Sequence, residues 1–194
     1  MIGDNSRLSQ MDSEKITAQI PSIDGHKIHM TGQIVDRIYK NGKLIDTIKG
    51  HNLVVNSFLK LVMTLCKGEP GYGGIQYWAV GSGDPSWDTD LPNPEINATR
   101  LTTEIGRVQI EPSEISYLTV DMAVSPTPTN IIQIRHVFGP SECNGTWREF
   151  GIFGGNATGA ANSGIMINKR HHGVITKTND MTIERTMKFV ISLA

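Results

Sequence analysis

The chain has 194 residues, 38% of them hydrophobic and 19% charged, and its 18 basic and 19 acidic side chains leave a formal net charge of -1. That length suits one domain, and the charge balance gives no electrostatic case for nucleic acid or an anionic membrane as partner. Twenty glycines with only 6% aromatics favour turns and short strands over long helices.

No stretch approaches the roughly 18 apolar residues of a membrane span. The start, Met1 to Arg7, lacks an apolar signal core, so the chain is expected to stay in the cytoplasm that makes it or to leave without a signal. Cys66 and Cys143 are too few for a disulfide scaffold or a metal site. Residues 1–14 are polar and without a clear period, which predicts an arm that orders on a partner. Residues 15–194 read as a single β-rich domain.

From Lys15 the pattern turns β, with Ile16, Ala18 and Ile20 alternating, a turn at Asp24-Gly25, and Ile28 and Met30 resuming. Two strands, 34–39 and 43–48, flank Asn41-Gly42, a pair that accepts the two positive φ angles of a type I′ hairpin turn. The period then changes. Leu53, Val54, Phe58, Leu61, Val62 and Leu65 share a helical face, predicting one amphipathic helix near 53–66 with Asn52 or Asn56 as cap and Gly68 as stop.

Strands are predicted at 75–80, 107–110, 117–124 and 131–138, with Pro85, Pro92 and Pro94 marking a long loop between the first two. A strand over 147–153, a small-residue loop 154–164, a short strand at 165–167 and a last strand over 181–193 complete the series. The last sets Ile183, Arg185, Met187, Phe189 and Ile191 on one face. The fold class is mainly β, sandwich-like, with one helix.

Catalytic and metal signatures are missing. Asp84, Asp88 and Asp90 lack calcium-loop spacing. The glycines between Gly151 and Gly164 lack the Gly-Lys-Ser/Thr of a phosphate loop, and no nucleophile elbow occurs. His171 and His172 are adjacent, point to opposite faces of a strand, and read as surface or interface residues. No cofactor is expected.

Arg148 and Glu149 are also adjacent, so one points inward and needs a partner, because an unpaired buried charge is costly. Glu104, Arg107 and Arg185 are the candidates, and together these five residues are expected to form a structural polar clamp. Trp78 and Trp147 sit in apolar strands and read as core. Trp87, in a Pro-rich acidic loop, is the one tryptophan placed to stack on a sugar ring.

The order of motifs resembles the structural proteins of tailed bacteriophages, particularly the tail-collar and tail-fibre attachment type. The carriers are His51 to Asn56 opening a helix, Ile75 to Gly83, Thr99 to Arg107, Trp147 to Phe153, and Ile175 to Thr178 before the closing strand. In that type an "avGtG" strand, an "L-x-x-E-x-x-R" segment, a "REiGLF" strand and a late "K-T" recur in this order. The resemblance implies a non-enzymatic virion subunit at the tail, baseplate, collar or fibre junction, bound to copies of itself and to neighbouring virion proteins. Two other expectations stand beside it: a carbohydrate-binding sandwich for host-surface recognition, using Trp87, and a capsid decoration or head-fibre protein.

Overall fold

A computed structural model describes residues 28–193, so the arm 1–14 and the strand and turn expected over 15–25 lie outside the described residues. Ten strands form one continuous antiparallel sheet: β1 (Ile28–Lys40), β2 (Lys43–Val54), β3 (Gly73–Gly81), β4 (Glu104–Gln109), β5 (Ile115–Leu118), β6 (Val124–Ser125), β7 (Ile131–Phe138), β8 (Gly145–Gly155), β9 (Ile165–Lys177) and β10 (Met181–Leu193). Their spatial order is β4-β3-β8-β9-β2-β1-β10-β7-β5-β6.

The sheet folds over at β2. Residues 43–52 of that strand pair with β1, and Leu53 and Val54 then pair with Lys169 and Asn168 of β9. One half, β1-β10-β7-β5-β6, is thereby laid across the other, β9-β8-β3-β4. Between them lies the main core, built from Ile34 and Ile38 of β1, Trp78 and Val80 of β3, Phe138 of β7, Phe150 and Ile152 of β8, and Ile183, Met187 and Phe189 of β10. The sandwich-like arrangement follows from the alternation in each strand, because both halves turn their apolar set to the same interior.

The β1–β2 hairpin turns where Asn41-Gly42 places it, with φ of 49° and 75°. The helix α1 (Ser57–Lys67) begins later than its apolar period suggests, because Leu53 and Val54 finish β2. Asn56 stands at the cap position, but its side chain donates to Asn97 Oδ1 and leaves the helix end uncapped. Gly68 ends the helix at φ 70°, a left-handed conformation that glycine adopts without a Cβ penalty.

The strand expected over 117–124 is two strands. β5 and β6 pair across a tight turn in which the Ala123 carbonyl accepts from Thr119 N–H, with Met122 at φ 64°. Alternation continues through such a hairpin, so periodicity alone does not reveal the break.

The outer face of the β9-β8-β3-β4 half is also covered. Loop 82–103 and loop 156–164 lie over it and enclose a second, smaller core of Leu53, Val55, Ala79, Leu101, Phe153 and Met166. Strand β8 and the first half of β9, to His172, are thus covered on both faces, which explains their near-continuous burial, whereas β9 exposes Gly173, Val174 and Thr176 further on.

Candidate functional site

The five expected clamp residues fall into two separate clusters. Glu149, Arg148, Glu104 and Arg107 sit under and beside the loops of the outer face. Arg185 sits in the main core, on the opposite side of the sheet, and pairs with none of the other four.

Register places Glu149 opposite His171 and next to Gly81, and its side chain is fully buried. Its Oε1 accepts the Thr103 backbone N–H at 2.9 Å, tying the loop to β8. Its partner in charge is Lys169, with Nζ 3.1 Å from Oε2. Lys169 also donates to Thr102 Oγ1 at 3.2 Å and to the Arg100 carbonyl at 3.3 Å, so its ammonium is held by one ion pair and two hydrogen bonds. Expecting Glu104, Arg107 or Arg185 as partner for the inward residue therefore needs correction. The strand β9 that supplies Lys169 is one register step away, whereas Glu104 and Arg107 turn to each other.

Glu104 and Arg107 form a bidentate pair, Nε to Oε1 at 2.6 Å and Nη2 to Oε2 at 2.9 Å. The Arg107 guanidinium stacks over Phe153 at 4.7 Å and donates to the Thr158 carbonyl and Ser163 Oγ, while Glu104 Oε2 accepts Asn162 N–H. The small-residue loop is thus pinned to the sheet rather than free.

Arg148 sits at the register irregularity between Trp147 and Glu149 and reaches the same loop 82–103. It forms a bidentate pair with Asp88, at 2.6 and 2.8 Å, and donates to the Ser82 carbonyl. That hydrogen bond holds the Asp88 carboxyl below its ordinary range.

The second cluster was largely missed by sequence reasoning. Asp36, opposite Arg185 in the β1–β10 register, accepts from its Nε and Nη2 at 2.7 and 2.8 Å, and both side chains are buried. The guanidinium lies 4.0 Å from the Phe150 centroid, with Trp147, Trp78 and Phe138 rings within 5.8 Å. Asp36 was legible in principle, since it alternates with Ile34 and Ile38 and must share their inward face. Arg170 and His172, also on the inner face, stand near this pair. Burial lowers the Arg170 guanidinium to about 10. Burial first, then the Arg185 charge, pushes His172 down to about 3. The reading of His172 as a surface residue fails because β9 has no exposed face there.

His171 is equally enclosed, with a side chain 7% exposed. Its ring stacks on Trp87 at 4.1 Å, and its Nδ1 lies 2.9 Å from the Pro92 carbonyl. That contact makes Nδ1 the donor and leaves Nε2 as the acceptor. Burial lowers its pKa, and nearby Lys169 adds to the effect. Nε2 has no hydrogen-bond partner among the described residues; Glu149 Oε2, ion-paired with Lys169, lies 3.9 Å from it.

Beside these groups lies a cavity of about 440 Å³, with Lys169 and His171 of β9 on the sheet side, Trp87 beside them and residues 92–102 as its other wall. That wall is anchored, since Asn56 N–H donates to the Ile96 carbonyl and Ser82 N–H to the Thr103 carbonyl. Trp87 is therefore not a free platform: His171 covers one face, and Gly83 lies so close that a Cβ there would come within 2.4 Å of Cζ3.

Among the described residues no group of three or more His, Cys, Asp or Glu is placed to hold a metal ion, and no helix is long and apolar enough to cross a membrane. No family model, no curated protein and no solved structure matches the chain.

Proposed function

We propose that the protein is a non-enzymatic structural subunit of a tailed-phage virion, at the tail, baseplate, collar or tail-fibre junction. It assembles through contacts with copies of itself and with neighbouring virion proteins. The observation that carries this reading is where the resembling segments meet. Gly81 lies against the Glu149 carboxylate, so close that a Cβ would come within 2.6 Å of Oε1. Glu149 holds Thr103, Ser82 N–H donates to the Thr103 carbonyl, and Arg148 holds Ser82.

In the late Lys-Thr motif, buried Lys177 donates to the Gly139 carbonyl at 2.6 Å and to Asn144 Oδ1 at 2.8 Å, closing the loop before β8. Segments distant in sequence thus form one polar framework, and each charged side chain in it is spent on tying a loop to the sheet. Such use of charge supports a scaffold role, because ion-pair networks of this kind are commonly structural.

Exposed apolar side chains supply contact surface. Val120, Met122 and Val124 line the β5–β6 edge, and Leu44 and Ile45 cap the β1–β2 hairpin. The test is the mass of the purified protein in solution, alone and mixed with the products of neighbouring genes, together with imaging of particles that carry a labelled copy. Oligomers or complexes, weakened by Val120→Asp with Val124→Asp, are expected. A strict monomer that joins no partner and is absent from particles refutes the reading.

A further inference from the structure

We infer that the cavity between loop 92–102 and β9 is a binding site for a neutral sugar, one hexose ring in size. A volume of about 440 Å³ lies within the range of small-molecule sites and suits a single ring with its hydration. Both walls are fixed before any ligand arrives, one by the β8–β9 pairing and the other by the Ile96 and Thr103 backbone anchors. A preformed pocket loses little ordering entropy on binding.

The lining decides the chemistry. Trp87, whose ring is stacked under His171 and packed against Gly83, contributes only its remaining half-buried rim, a narrow apolar strip for pyranose C–H groups. Asn93, Asn97 and Thr99 place amide and hydroxyl groups at the rim, matching a ring of hydroxyls. An anion finds no free cation at the base, because the Lys169 ammonium is already shared among Glu149, Thr102 and Arg100. At the rim Arg100 is matched by Glu95, so the mouth is neutral as a whole.

The base also holds an unmet acceptor. His171 Nε2 is buried and without a hydrogen bond among the described residues. An unmet acceptor of this kind is costly, and a ligand hydroxyl, directly or through a bridging water, supplies the missing donor.

The experiment is titration of the purified protein with D-glucose, D-galactose and N-acetyl-D-glucosamine. It is followed by tryptophan emission and by amide shifts of Lys169 and His171. Trp78 and Trp147 are fully buried, so Trp87 is the emitter that a ligand reaches. A saturable change with a dissociation constant of about 1 mM is expected, the modest affinity of a narrow apolar strip and a few hydrogen bonds.

Thr99→Phe fills the mouth from an exposed position and should weaken binding at least about tenfold at unchanged melting temperature. His171→Gln, which replaces the ring acceptor, should weaken it as well. No saturable change with any of the three sugars overturns the inference, as does binding that Thr99→Phe leaves intact. Binding of glucuronic acid alone, lost in Arg100→Gln, also overturns it, since the site would then be an anion site.

Discussion

The Asp36–Arg185 pair makes a sharp demand on stability. Asp36→Asn keeps shape and volume but removes the charge that faces Arg185 in the core. The guanidinium is then left fully buried, with Arg170 nearby and no carboxylate to compensate. Two charge-assisted hydrogen bonds, at 2.7 and 2.8 Å, are weakened at the same time. Breaking a buried pair by removing one partner costs about 3–5 kcal/mol, against a total stability of about 5–15 kcal/mol for a domain.

Stacking on Phe150 at 4.0 Å offsets part of that cost, by about 1–2 kcal/mol, because the aromatic faces still attract the cation. The net expectation is a loss of roughly 2–4 kcal/mol. Urea denaturation followed by tryptophan emission measures it, since Trp78 and Trp147 border the pair. The double variant Asp36→Leu with Arg185→Met removes both charges and should lose less than Asp36→Asn alone. A loss below about 1 kcal/mol for Asp36→Asn would refute the claim that this pair is desolvated and coupled.

Three further outcomes follow from the same geometry. His172 titrates near 3 when folded against an ordinary 6.5, so the folded state refuses a proton that the unfolded state takes. Its contribution is complete above pH 6.5 and is lost as pH falls towards 3, at about 1.4 kcal/mol per pH unit. His172→Gln should accordingly lose about 2–3 kcal/mol less than the wild type between pH 7 and pH 4.5, and equal losses would count against it. Burial, then Glu142, raises the Cys143 thiol to about 11, whereas Cys66 is exposed. Iodoacetamide at pH 8 should add one label to the folded protein and two to the unfolded, read by intact mass. Lys177→Met should cost about 1–3 kcal/mol in a chemical melt by stranding the Gly139 and Asn144 oxygens, and an unchanged melt removes the loop-closing role.

Much of the sheet was legible because its signals are local. Asn41-Gly42 fixes a turn, and Ile183, Arg185, Met187 and Phe189 fix a face, whatever the rest of the chain does. The start of α1 was not legible. Leu53 and Val54 satisfy both a helical stripe and the end of a strand, and only pairing with β9 decides between them. The split of 117–124 depends likewise on the Thr119–Ala123 turn, which keeps the alternation on both sides.

The polar framework was half legible, and the reason is physical. A sequence shows that one of Arg148 and Glu149 must face inward, but the partner is chosen by register. The β8–β9 pairing sets Glu149 opposite His171 and leaves Lys169 within 3.1 Å. Lys169 gave no sign of burial, because β9 is covered on both faces as far as His172 and its polar residues there do not alternate with exposure. The same double cover accounts for the cavity: loop 92–102 closes over β9 with Glu149 anchoring Thr103, Arg148 anchoring Ser82 and Asn56 N–H anchoring Ile96. Framework and cavity are therefore one construction. Glu149→Gln, which removes the charge opposite Lys169, should loosen residues 92–102 before it unfolds the main core, with faster amide exchange confined to that loop.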